Sequence, residues 1–133
     1  MQLKAEVDNL PQVNAFVDSL LAQQEISSQK RFQLDLAVEE IFVNIASYAY
    51  GAETGDVTIE GFWQPESSRL ELTFIDQGLP YDPLKRQDPD ITLRLEERQG
   101  GGLGIFLAKK NVDSMQYEYR DGCNRLMISK AMR

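Results

Sequence analysis

Two stretches of strict alternation limit what this chain can become. From Asp56 to Trp63, the residues Val57, Ile59, Gly61 and Trp63 alternate with Thr58, Glu60 and Phe62, and after Pro65-Glu66-Ser67-Ser68 the pattern resumes at Leu70, Leu72 and Phe74. A period of two sends successive side chains to opposite faces, so this stretch reads as an antiparallel hairpin with one apolar face. Met115, Tyr117 and Tyr119 alternate with Gln116, Glu118 and Arg120, and the turn Asp121-Gly122-Cys123-Asn124 leads into Arg125 to Lys130, a second hairpin. Such a sheet needs a layer to cover its apolar side.

Helical periods supply that layer. After Asn9, a capping residue type, and Pro11 in a first turn, apolar residues recur at Val13, Phe16, Val17, Leu20 and Leu21, the spacing of one helix face. Glu25 to Ser28 interrupts the pattern. A second helix is predicted from about Gln29 to Tyr48, with a core stripe of Leu34, Val38, Ile41 and Ile45 and with Gly51 placed to end it. Asp35 and Glu39 fall on another side and read as solvated charges. A third, mostly apolar helix is predicted from Leu103 to Val112, with Lys109-Lys110 suited to its C-terminal dipole, and Gln2 to Val7 suggests a short first strand. Strands with helices gathered on one side predict an α+β two-layer sandwich.

At 133 residues the chain is expected to form one domain, residues 1–133, with a sizeable core and no second domain. No apolar run is long enough to span a bilayer, and Met1 to Glu6 lacks a signal-peptide core, so a cytoplasmic location with no membrane partner is expected. The formal net charge of −7 argues against direct nucleic-acid binding, which rests on basic neutralisation of phosphates. The single cysteine, Cys123, excludes an internal disulfide and a cysteine metal cluster. With no histidine, Ser-His-Asp and Cys-His nucleophile arrangements, the usual zinc sites and a phosphohistidine acceptor are all excluded. Acid–base chemistry must then rest on carboxylates, lysine, tyrosine or water.

Three features carry candidate chemistry. Gly100, Gly101, Gly102 and Gly104 put four of the nine glycines just before the apolar run Ile105 to Ala108, either as a connector or as a cradle whose free N–H groups suit a phosphate. Glu40 and Asn44 lie one helical turn apart at the margin of a core face, either a plain hydrogen-bonded pair or the start of a site; Tyr48 lies one turn further. Asp76 shares the parity of Leu70, Leu72 and Phe74, and a carboxylate on an apolar face is costly unless something satisfies it. It either caps the Gln77-Gly78 turn or receives a ligand. Between these features, about 79–99, Pro80, Pro83 and Pro89 and many charges form a connection long enough to be a lid or binding loop. Gly102 to Leu107 fails the dinucleotide pattern at its last position, and no Gly-Lys-Ser/Thr triplet of a P-loop occurs.

Glu40-Ile41-Phe42-Val43-Asn44, Asp76-Gln77-Gly78-Leu79-Pro80 and Gly102-Leu103-Gly104-Ile105, in that order, resemble the gyrase and histidine-kinase type ATP-binding superfamily. Within it, the phrase Asp76 to Pro83 is similar to the short anti-sigma factor serine/threonine kinases, and the resemblance runs from about Phe32 to Lys130. It implies a Bergerat-type fold, a mostly antiparallel, mixed sheet with three helices on one face, and a site for ATP and Mg²⁺. Asn44 would bind the metal, Asp76 would accept from the adenine amino group, and Gly78 would let the backbone pass close to the base. Gly100, Gly101, Gly102, Leu103 and Gly104 would hold the phosphates and hinge the lid, and Glu40 would be the general base. The implied partners are a small anti-anti-sigma antagonist, a sigma factor and a second copy of the chain. Two departures stand out: Tyr48 replaces a common family histidine, and Arg98 is the nearest match to an arginine before the last glycine box. A nucleotide-dependent binding module without phosphotransfer is the alternative from another class, and a stand-alone ATPase is a third.

Overall fold

The computed structural model describes residues 1–85 and 102–133. Their elements run β1 (Gln2–Lys4), α1 (Leu10–Leu21), α2 (Ser28–Tyr48), β2 (Asp56–Gln64), β3 (Arg69–Asp76), α3 (Gly102–Lys110), β4 (Ser114–Arg120) and β5 (Cys123–Ala131), with 3₁₀ turns at Val7–Asn9 and Pro83–Lys85. The strands form one five-stranded sheet in the order β1-β2-β3-β5-β4. The expected two-layer α+β sandwich is present. Where a mixed sheet was expected, all the described pairings are antiparallel. β3 and β4, joined through α3, run in the same direction, but β5 lies between them and pairs antiparallel with both.

Local chemistry sets the boundaries. Asn9 stands at the N-cap of α1, but its side chain makes no capping bond; its amide instead donates to the Lys4 carbonyl at 3.0 Å. Ser27 does cap α2, its hydroxyl accepting from the Lys30 N–H at 3.3 Å, which starts the helix one residue earlier than Gln29. Gly51, at φ +61°, takes the left-handed conformation just past the end of α2. The β4–β5 turn is tighter than the sequence suggests: Asp121 and Gly122 both have positive φ, 56° and 77°, as a two-residue hairpin turn requires. Cys123 and Asn124 therefore belong to β5, not to the turn.

The core lies between the helices and one face of the sheet. Val13, Val17 and Leu21 of α1 meet Leu34, Val38, Ile41, Phe42 and Ile45 of α2 over Val57, Ile59, Leu70, Leu72, Phe74, Leu126 and Ile128. Ala37 and Phe42 widen the expected stripe on α2, because that helix packs along α3 as well as on the sheet. Glycine at position 61 makes room for Leu72 and Leu20, a Cβ there lying 3.2 Å from Leu72 Cδ2. Arg31 of α2 bridges Asp18 of α1 and its own helix neighbour Asp35, so Asp35 is paired where a solvated charge was expected. Among the described residues the buried polar side chains are Asp76, Asn124 and Lys130, all in β3 or β5 on the helix-facing side. No described helix is long and apolar enough to cross a membrane.

Phe42 is fully buried between the layers. Replacing it with alanine is expected to cost about 3–5 kcal/mol, seen as a lower urea midpoint with an unchanged transition slope.

Candidate functional site

One end of the sandwich opens into a cavity of about 340 Å³. Its walls are apolar: Ile41 and Ile45 from α2, Ile105 from α3 and Leu126 from β5, while Asn44 and Asp76 bring polar groups to it. That volume and lining suit a flat heterocycle fixed by a few polar contacts.

Asp76 lies at the last position of β3, directly across the ladder from Asn124 at the start of β5. Both are 6% exposed, so each must find partners within the protein. Asp76 Oδ1 accepts from the Gly78 N–H and from Asn124 Nδ2, both at 2.9 Å. The first bond is the turn cap foreseen as one of the two roles for this carboxylate. No described residue donates to Oδ2, and Asp76 lines the cavity. The two roles are compatible, because one oxygen caps the turn while the other stays available.

The turn after Asp76 is gripped from both sides. On the α2 side, a Cβ at Gly78 would stand 2.9 Å from Ala49 Cα and closer still to its carbonyl, and the Leu79 N–H donates to that carbonyl at 3.2 Å. The close approach that demands glycine at position 78 is therefore to the backbone of Ala49, just past the end of α2. Tyr50 O–H donates to the Asp56 carbonyl at 2.5 Å and accepts from the Gln77 N–H at 2.8 Å. Its ring lies over Gly55, leaving no room there for a side chain, and burial is the main force pushing its pKa up. On the β5 side, Asn124 Nδ2 also reaches the Leu79 carbonyl at 2.9 Å, and Asn124 Oδ1 accepts from the Tyr81 N–H at 3.1 Å and from Tyr117 O–H.

Glu40 and Asn44 share a side of α2 but meet different neighbours. Asn44 and the exposed Tyr48 line the cavity. Glu40 lies under the first turn of α3, where a Cβ on Gly104 would come within 2.7 Å of Glu40 Oε2. Gly104 does not have positive φ, so the glycine serves this close approach rather than a left-handed turn. Burial, reinforced by Glu39, raises the Glu40 pKa above the ordinary glutamate range. Gly102 and Leu103 begin α3. Gly100, Gly101, Arg98 and the expected lid beyond residue 85 lie outside the described residues.

The family model for the histidine kinase-like ATPase domain matches residues 3–130. The chain belongs to that family. Among relatives of this ATPase-domain chain, the serine/threonine-protein kinase BtrW of Bordetella bronchiseptica is 29% identical over 103 residues, covering 77% of this chain and 72% of the relative. The serine-protein kinase RsbW of Bacillus cereus is 30% identical over 105 residues, covering 75% of this chain and 64% of the relative. A solved structure with the RsbU and RsbW domains of a Mycobacterium tuberculosis protein superposes with a TM-score of 0.63 at 12% identity, over 99% of this chain and 32% of that one. The histidine kinase domain of a blue-light-activated kinase from Erythrobacter litoralis gives 0.59 at 12% identity, over 95% of this chain and 60% of that one. These last two show the shared ATPase fold.

Within this histidine kinase-like ATPase domain, Asn44, Asp76 and the turn at Gly78 meet at one cavity, while Glu40 meets Gly104 beside it. Sequence reasoning missed Asn124, Tyr50 and Tyr117. Asn124 could have been found by parity, since it aligns with Leu126 and Ile128; assigning it to the turn hid that. Tyr50 carried no local signal, because its partners Asp56 and Gln77 are joined to it only through the fold.

Gly78→Ala is expected to destabilise the domain by about 1–3 kcal/mol through the clash with Ala49, read as a lower urea midpoint. An unchanged midpoint would show that the turn can move away from α2.

Proposed function

We propose that this chain binds ATP with Mg²⁺ in the cavity and transfers the γ-phosphoryl group to a serine or threonine of a small partner protein, as an anti-sigma type kinase. The observation that carries this reading is the Asp76 carboxylate, buried among apolar walls with Oδ2 unengaged by any described residue. An acceptor so placed favours a base that presents an amino group, as adenine does, and Ile41, Ile45 and Leu126 would sandwich its faces. The names of the relatives, two of them serine or serine/threonine kinases, support the transfer chemistry.

The metal fits as one that arrives with the nucleotide. The described residues hold no group of three or more histidine, cysteine or acidic side chains that could cage a cation, while Asn44 offers a side-chain carbonyl at the cavity. Magnesium is commonly held by few protein oxygens, with phosphates and waters completing its shell, and when bound it supplies charge neutralisation on the phosphates. Gly100 to Gly104 are assigned to the phosphates, since a helix N-terminus such as that of α3 suits negative charge.

Glu40 would take the proton from the attacking hydroxyl, one helical turn from Asn44. Its raised pKa, from burial and the neighbouring Glu39, makes it a stronger base than an ordinary glutamate. The chain would in turn pair with an anti-anti-sigma antagonist and a sigma factor as a cytoplasmic homodimer, partners that the resemblance of Asp76 to Pro83 to the anti-sigma kinases implies. One observation favours the non-catalytic module as a second reading: Glu40 packs against Gly104 of α3 and is not part of the cavity wall.

γ-Labelled ATP, Mg²⁺ and a co-encoded antagonist candidate separate the two. Label transfer by the wild type, lost by at least about 100-fold in Glu40→Gln with nucleotide affinity retained, is the expected result. ATP binding without transfer by the wild type would favour the module. Transfer is also expected to rise with pH through a midpoint above the usual glutamate range, since only ionised Glu40 accepts the proton. The sign for stability is opposite. A raised carboxyl pKa contributes stability below the unfolded value that is lost as pH rises through the folded one, so Glu40→Gln should melt no lower than wild type at neutral pH. Asp76→Ala is expected to abolish measurable ATP binding by calorimetry.

A further inference from the structure

The side chain of Asn124 makes more bonds than a strand residue needs. Its oxygen accepts from the Tyr81 N–H and from Tyr117 O–H, and its amide donates to Asp76 Oδ1, to the Leu79 carbonyl and, at 3.4 Å, to the Gly78 carbonyl. These bonds define the amide's orientation. A backbone N–H can only donate, so the atom facing Tyr81 must be oxygen, and the atom facing Asp76 and Leu79 must then be the NH₂ group. A hydroxyl could not serve all these groups at once, and an aspartate would set a second carboxylate against Asp76.

Two consequences follow from that fixed amide. Asp76 Oδ1 is taken by two donors, which fixes how the carboxylate is turned and leaves Oδ2 as its position toward the cavity. The same amide also holds residues 78–81, so Asp76 and the chain leaving β3 share one anchor. We propose that Asn124 is a positioning residue that makes the cavity selective for an amino-bearing purine and links occupancy of the base site to the placement of residues 78–81. With Asn124 in place, a base carrying an oxo group would set acceptor against acceptor. Without it, Asp76 can turn and so discriminate less between the two bases. This inference rests on the ATP reading above.

The test measures dissociation constants for ATP and for inosine triphosphate, which differs in having an oxo group where adenine has its amino group. Wild type is expected to prefer ATP by about 10-fold or more, the scale of one hydrogen bond to a charged group. In Asn124→Ala, ATP should bind about 10-fold more weakly while inosine triphosphate changes little, so that the preference collapses. Tyr117→Phe removes only one of the two donors orienting the Asn124 oxygen and should lower the preference by a smaller factor, which keeps the test decisive if Asn124→Ala does not fold. Amide exchange supplies the second readout: ATP should slow exchange at Gly78 and Tyr81 in wild type and not in Asn124→Ala. A purely structural role would weaken both nucleotides equally. An unchanged ratio in the folded variants, with wild type still discriminating, overturns the inference. Failure of wild type to bind ATP at all overturns the functional reading instead.

Discussion

The cross-strand pair of Asp76 and Asn124 is the contact on which the rest of the site depends. Both side chains point to the helix-facing side of the sheet, where an unsatisfied polar group would cost about 1–3 kcal/mol. Each offsets the other's desolvation, and the pair still leaves one carboxylate oxygen over for the cavity. The register of β3 against β5 therefore also sets where the Asp76 carboxylate meets the cavity. A slip of β3 by one residue would turn Asp76 to the open face, away from Asn124 and the cavity.

α2 is the second organising element, and its chemistry changes along its length. Ser27 caps its start, Leu34 to Ile45 bury its middle, and the two residues just past its end hold the neighbouring chain. The Ala49 carbonyl and the Tyr50 hydroxyl both receive N–H groups from the turn after Asp76. The helix that carries Glu40 and Asn44 thus also fixes where the carboxylate of Asp76 stands. A helix is rigid enough for such a task, and groups placed on it keep their spacing better than groups on loops.

Much of this is legible in the sequence. The two hairpins, the three helices and the sandwich follow from periods of two and of 3.6 residues, which depend on local sequence alone. The parity of Asp76 marked it as a buried carboxylate in need of a partner, and the structure supplies Gly78 and Asn124. The spacing of Glu40 and Asn44 placed them on one side of α2 but could not show that α3 lies over the first and the cavity beside the second. The glycines at 78 and 104 read as close-approach positions; what approaches them, the Ala49 carbonyl and the Glu40 carboxylate, comes from parts of the chain far away in sequence.

The chain's own pattern thus determined the elements, the buried faces and which polar residues would be out of place on them, because each is set by residues within a turn or a strand of one another. Only the tertiary structure decided which of those polar groups meet. Insertion of β5 between β3 and β4 brings Asn124 opposite Asp76 across 48 residues of chain, and the packing of α3 on α2 brings Gly104 over Glu40. Contacts at such separation depend on the register and order of strands, which the period of a single strand does not encode.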